Sequence, residues 1–438
     1  MIARIGWLLA RPGAAGRAPL VLPVVAFGIV TALLLTVLGG AQSFFAWTDD
    51  RAATYQGLAV VALVLLVVPL LTLCGAAARL SARRRDDRLS TLRLLGVPPG
   101  SVTGLAVAES TVLALLGSLA GVVGYLALAP LVGLLSFRGR PLGLHGVLLD
   151  WRAVLLVVLG VTLLAAVSTV VGLRRVVISP LGVRVRDEPP RMGWGRPVVA
   201  LVVVAVCTAA MLALQVAGAV VVILAMVGGA FGGAFAVLNL LGPWLVRRVA
   251  RRQLREARTA DRLLAARAVL ESPKAAWRQV SGVAMTSFTA VFGGCCAAVA
   301  SLTGSSTDPE TVTLTEDLVT GLLVTLVGSF LMVAATVSIN QAAEILDRAE
   351  LTTSLGRLGV PLTTVDAARR RAVMTPLLWV ALSSALTAAV VVLPLTGVAL
   401  MTRPLSLAVI AASIAAGLLV VRGGLSATRP MLARTLTG

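Results

Sequence analysis

Few residues in this 438-residue chain have the chemistry to act on a substrate. The single histidine, His145, sits in a loop before the fourth apolar run, so a histidine metal centre or a Ser-His relay lacks its parts, and the residue reads as a solvated loop residue. The four cysteines, Cys74, Cys207, Cys295 and Cys296, all lie inside apolar runs without metal-ligand spacing, and read as small packing residues. There is no G-x-x-x-x-G-K-[ST] loop to hold nucleotide phosphates. What remains is a carboxylate and a charged segment. Glu109 lies just inside the third apolar run, which makes it a candidate intramembrane polar site. Its depth, within about two helical turns of the polar side, also lets it pair with Arg93, and that is the reading its position favours. The segment Arg83 to Pro98 joins a charged first part to apolar Leu89, Leu92, Leu95 and Val97, the pattern of a short amphipathic helix with Gly96 as C-cap and the following prolines as a stop.

The elements that must position these residues are membrane helices. Hydrophobic residues make up 58% of the chain against 13% charged, and the mean hydropathy is +0.97. A soluble chain of this length needs far more polar surface. Apolar runs long enough to span a bilayer fall at about 19–38, 57–78, 101–135, 153–173, 197–217, 220–246, 280–302, 318–339, 365–400 and 405–421. The expected fold is therefore all-α and polytopic, with ten spans. The third and ninth runs exceed what a bilayer requires, so each is expected to extend beyond it or to bend, with Pro130 and Pro394 as break points. No small-residue cleavage site follows the first run, which is expected to stay as a helix.

Charge gives the orientation. The formal net charge is +19, but the arginines fall between apolar runs and not on a polar fold, which argues against nucleic acid as partner. Among the 38 basic residues, only Arg51, Arg138, Arg140, Arg152 and Arg403 fall in outer segments when the N-terminus is placed inside. Both termini are therefore expected in the cytoplasm. Trp47, Tyr55 and Trp151 then lie near the outer interface and Trp7, Trp194, Trp244 and Trp277 near the inner one, as an aromatic belt.

An internal repeat organises the spans. Residues 9–17 (LARPGAAGR) align with 270–278 (LESPKAAWR), an offset of 261, and Leu95-Gly96-Val97-Pro98 aligns with Leu358-Gly359-Val360-Pro361, an offset of 263. The reading is two parallel four-span halves, residues 1–196 and 247–438, joined by a two-span connector at 197–246. The stretch 247–278 is strongly basic, with Leu263, Leu264, Ala268 and Leu270 at helical spacing, and is expected to lie along the inner headgroups. Gly228, Gly229, Gly232 and Gly233 in the sixth span allow close helix approach, read as internal packing.

A short amphipathic helix between two spans can act as a lever for a partner or as an anchor on anionic lipid, and the residues alone leave both readings open. The segment around Thr91-Leu92-Arg93-Leu94-Leu95-Gly96-Val97, followed by a long apolar helix near Glu109, resembles the signature of the FtsX-like, or MacB-type, ABC permease domain. Residues 347–360 resemble the same segment, and Leu173-Arg174-Arg175 with Ser179-Pro180-Leu181 is similar to the family's stretch after the fourth span of a repeat. The resemblance implies that Asp87, Arg88, Thr91, Leu92, Leu95, Gly96 and Val97, with Glu350, Leu351, Ser354, Leu355, Leu358, Gly359 and Val360, contact an ABC ATPase. It also implies two ATPase copies per permease, with ATP and Mg bound there and no cofactor on this chain.

The order of four, two and four spans resembles the BceB-type subgroup, linked to resistance to antimicrobial peptides. That subgroup carries a large extracellular domain between spans seven and eight, whereas the loop here, about Thr303 to Asp317, is short and acidic through Asp308, Glu310, Glu316 and Asp317. Ala372 stands where the first half has Glu109, so any role for that carboxylate is one-sided. The expectation is a non-enzymatic permease in a bacterial cell membrane that exports or extracts a hydrophobic compound, lipid or antimicrobial peptide, with a sensor histidine kinase as a further partner. The competing expectation is a transmitter that moves no substrate and regulates a partner across the membrane. An ion-coupled secondary transporter fits less well, because the spans offer almost no paired ionisable residues.

Overall fold

The computed structural model describes residues 18–49, 51–94, 98–178, 195–213, 220–303, 309–393 and 404–427. The helices are α1 (Ala18–Phe45), α2 (Ala52–Leu94), α3 (Pro99–Gly133), α4 (Gly143–Val147), α5 (Trp151–Ile178), α6 (Gly195–Ala213), α7 (Val220–Arg255), α8 (Ala260–Glu271), α9 (Pro273–Thr303), α10 (Pro309–Asp347), α11 (Ala349–Arg357), α12 (Leu362–Val391) and α13 (Pro404–Ala427). A two-residue ribbon, β1 (Ser136–Phe137) with β2 (Arg140–Pro141), interrupts them between α3 and α4.

Seven helical stretches among the described residues are long and apolar enough to cross a membrane, on α1, α2, α3, α5, α7, α10 and α12, and shorter apolar helices lie at Pro197–Ala210 and Ala411–Ser426. Their outward faces are apolar: on α5, Leu156 and Leu163 are 70% and 65% exposed. Two such leucines, two turns apart on one face, suit lipid and not water. The chain is an all-α, polytopic membrane protein.

It divides into two compact units, residues 1–63 with 70–188, and residues 64–69 with 189–438. In the first unit α3 lies between α1 and α5. Small residues make the α1–α3 seam: a Cβ on Gly117 would stand 2.6 Å from the Val24 carbonyl oxygen, and one on Gly121 2.6 Å from that of Gly28. Backbones this close need glycine at the crossing. Polar threads cross the same helix, with Thr31 Oγ1 donating to Ser118 Oγ at 3.2 Å and Thr169 Oγ1 to Ser110 Oγ at 3.0 Å.

One end of this unit is closed by short structure where the sequence reading expected only a loop. Arg138 (φ 55) and Gly139 (φ 70) turn the ribbon with both central residues in the left-handed region, as a two-residue hairpin requires. The Arg138 guanidinium stands 4.1 Å from the Trp47 ring centre and 4.3 Å from that of Tyr55, and pairs with Asp49 at 2.7 Å. Tyr55, expected in an interfacial belt, is thus buried under this cation. Beneath it, the Tyr125 hydroxyl donates to the Val147 carbonyl at 2.8 Å and accepts from Leu149 N at 2.8 Å, fixing α4 over α3. His145 is exposed, on α4 and not in a loop.

In the second unit α9 packs against α7, α10, α12 and α13. Its core joins Val280, Val283, Val333, Val337, Leu377, Val380 and Leu425. A second cluster sets Phe288 and Phe292 against Cys207, Ala234 and Cys295. Trp277, expected at the interface, is a core residue: its ring lies over Gly242, where a side chain would collide with it, and its Nε1 donates to Asn239 Oδ1 at 3.0 Å. An indole that finds a partner for its N–H can be buried. Gly233 meets Cys207, in line with the packing expected of the sixth span, whereas Gly229 and Gly232 face open space. The Gly228 side, Cys296, Trp7 and Trp194 lie outside what is described.

Two further expectations change. Pro130 does not break the third run: α3 continues through it to Gly133, and the proline falls in the last turn. Pro394 lies outside the described residues. The acidic stretch before the eighth run is largely helix: α10 opens at Pro309 and carries Glu310, Glu316 and Asp317 in its first turns.

Candidate coupling segments and the ion pairs that hold them

The segment between the eighth and ninth runs is a separate short helix. α10 ends at Asp347, Arg348 leaves helical geometry (φ −106, ψ 16), and α11 follows. Its end is a Schellman-type cap: Gly359 takes φ 82, and Val360 N donates to the Leu355 carbonyl at 3.0 Å. Pro361 (φ −62, ψ 140) then starts α12. Leu351 and Leu358 are 55% and 79% exposed, two turns apart on one face with exposed Ser354 between them. Leu355 and Val360 are half-buried, Thr352 is buried and donates to the Arg348 carbonyl at 2.9 Å, and the Glu350 side chain is outside what is described. The outward face therefore carries Leu351 and the C-cap residue Leu358 with Ser354 between them, while Thr352 bonds back to the turn before it.

The first copy is built differently. No separate helix forms, because α2 runs 43 residues without a break to Leu94 and carries Asp87, Arg88, Thr91 and Leu92 in its last turns. Their side chains, and Leu95, Gly96 and Val97 altogether, lie outside the described residues. Pro98 (φ −57, ψ 140) starts α3 with nearly the backbone geometry of Pro361. Glu109 is half-buried on α3, and among the described residues no cation pairs with it; the Arg93 side chain, its expected partner, is outside them.

An ion-pair system in the second unit escaped the sequence reading. Asp366, with 3% of its side chain exposed, pairs with Arg369 at 3.0 Å and with Arg370. Arg369 also donates to the Leu425 carbonyl, in the last turn of α13, at 3.3 Å. The spacing of Asp366 to Arg369 and Arg370, three and four residues on, is the signal that could have found them. α8 is held at both ends: Asp261 pairs with Arg371 of α12, and Glu271 with Arg348 at 3.3 Å, which also meets Glu344 at 3.4 Å. A hydrogen bond from Thr259 and the charge of Arg371 hold the Asp261 carboxyl below the usual carboxylate range. Sequence alone could not have matched these partners, since they are brought together only by folding. No group of three or more metal-ligating side chains occurs among the described residues.

Apolar helices with exposed leucine faces define a polytopic membrane protein. Residues 58–181, most of α2 with α3, the hairpin, α4 and α5, match the family model described as FtsX-like permease C-terminal, so this part of the chain carries an FtsX-like permease domain. No curated protein and no solved structure matches the chain. An FtsX-like permease domain implies the membrane subunit of an ABC transporter, paired with an ATPase that is a separate subunit and holds the nucleotide.

Proposed function

We propose that the chain is a ten-span permease built from two FtsX-like halves and a connector, with its arginine-rich ends in the cytoplasm, and that an ABC ATPase docks on the end of α2 and on α11. ATP binding and hydrolysis on that partner would rock the halves to export or extract a hydrophobic compound, a lipid or an antimicrobial peptide. The observation that carries the reading is the pair of outward leucines at α11, Leu351 and Leu358, on a segment that repeats in sequence the end of α2 within the matched region. An exposed apolar pair this small, ended by a rigid cap, suits insertion into a groove of another protein. The duplication is supported by the twin proline starts and by α9 packing on α12 as α1 packs on α3. The short outer surface between α9 and α10 favours a substrate reached from the lipid over one captured by an external domain.

The test is co-purification with a co-expressed ABC ATPase subunit. Leu351→Asp with Leu358→Asp should lose the partner, and Leu92→Asp added to them should abolish residual binding. Both α11 leucines are exposed, so the protein should keep its thermal stability. An unchanged pull-down with the triple variant would defeat the docking reading.

A further inference from the structure

The arginine-rich end of α7 has two faces. Val246, Val249 and Ala250 are buried in the core of the second unit. Arg248, Arg251, Arg252 and Arg255, spaced at three and four residues, are all exposed on the other side, and Arg258 and Arg262 extend the row through the turn into α8. The acids nearby do not neutralise this row. Between 247 and 278 they are Glu256, Asp261 and Glu271. Glu256 pairs with Arg252 at 2.9 Å, whereas Asp261 and Glu271 are committed to Arg371 and Arg348, outside the stretch. Trp244, one turn before Arg248, lies with its ring centre 5.6 Å from the Arg248 guanidinium carbon, and Leu263 on α8 is 46% exposed.

We infer that this face is a binding surface for anionic phospholipid headgroups, with Arg248, Arg251, Arg255, Arg258 and Arg262 donating hydrogen bonds to the phosphate oxygens. The level at which the cations emerge carries the choice of partner. They start in the C-terminal turns of the helix stretch Gly229–Arg255, past its apolar part and next to a tryptophan of the kind found at headgroup depth. An arginine fork offers paired donors to phosphate oxygens, and a row of forks tracks a charged surface better than a single ligand. Because Glu271 ties the far end of α8 to Arg348, a lipid seated here touches the same helix that holds the joint before α11.

The experiment uses the full-length chain in uncharged detergent, titrated with phosphatidylglycerol, with phosphatidylcholine of the same acyl chains, and with inorganic phosphate. Bound lipid is counted by native mass spectrometry and checked by thermal shift. Phosphatidylglycerol should be retained in preference to phosphatidylcholine. Arg251→Gln, Arg255→Gln, Arg258→Gln and Arg262→Gln together should weaken it, by about fivefold for each cation removed. The four corresponding Lys variants together should restore most of the binding, and single Arg255→Gln gives a mild variant in case the quadruple one is unstable. Equal retention of the two lipids, unchanged binding by the Gln variants, or displacement by millimolar inorganic phosphate would each overturn the inference. The readout involves no ATPase, so its failure is separate from failure of the proposed docking.

Discussion

The α1–α3 seam gives the sharpest quantitative test, because one helix contains two glycines in opposite surroundings. A Cβ on Gly121 would stand 2.6 Å from the Gly28 oxygen, 2.7 Å from Thr31 Cβ and 3.1 Å from Ala32 N, whereas one on Gly104 would meet nothing within 4 Å. Ordinary contact begins at 3.4 Å, so Gly121→Ala must push α1 back by the difference between 2.6 and 3.4 Å along the line to the Gly28 oxygen. That retreat loosens the packing along the seam and stretches the Thr31–Ser118 hydrogen bond. Both substitutions gain the same helix propensity, about 1 kcal/mol in an exposed helix. Their difference therefore isolates overpacking, about 1–3 kcal/mol against Gly121→Ala. Thermal unfolding of the two variants in the same detergent reads it directly: Gly104→Ala should melt at or above the parent, Gly121→Ala below it. If Gly121→Ala melted as high as Gly104→Ala, the helices could not be as close as described.

Two charged sites in the second unit make further predictions. Asp366→Asn removes the carboxylate that Arg369 pairs with, whose own side chain is only 10% exposed, and should cost about 3–5 kcal/mol by denaturation; Arg370→Gln, at a side chain 38% exposed, should cost under about 1 kcal/mol. Asp261 has a lowered pKa in the folded protein, so its contribution is present above the unfolded value of about 3.9 and is lost as pH falls through the folded one. The melting difference between the parent and Asp261→Asn should thus stand at pH 7 and close in acid, and Thr259→Val, which removes the largest cause of the shift, should move that closure to higher pH.

The helices were legible because hydropathy is a sum over many residues. Each of the ten apolar runs falls mostly on one long helix, and the ends differ by a few residues where charge and not hydropathy decides. The C-cap was read at Gly96, which lies outside the described residues; at the aligned Gly359 the backbone takes φ 82, the left-handed conformation that glycine allows. The string around Gly96 did not predict a separate helix before it in the first half, because nothing in Arg83 to Arg93 breaks α2 as Arg348 breaks α10 from α11. The burial of Trp277 and Tyr55 was not legible, because an indole or phenol is equally at home exposed or in a core that offers a partner, and Asn239 and Arg138 are far away in sequence. The same distance hid the Glu271–Arg348 and Asp261–Arg371 pairs.

The two segments therefore differ mechanically although they repeat in sequence. A force on the end of α2 acts on an unbroken helix, whose backbone hydrogen bonds make it stiff along its axis. A force on α11 acts through a single non-helical residue, and a joint of one residue passes little torque by itself. The second unit compensates with side chains: Arg348 at the joint is held by Glu344 from α10 and Glu271 from α8, and α8 is held in turn to α12 through Asp261 and Arg371. These pairs are partly exposed, so each is weak and salt-screened. A chain of weak links can be released and remade without unfolding the helices it connects, which suits a joint that must move. On this reasoning Glu271→Gln should leave global stability nearly unchanged while increasing amide exchange in α11 and its cap, and equal exchange in α11 with and without Glu271 would show that the joint is held by packing instead.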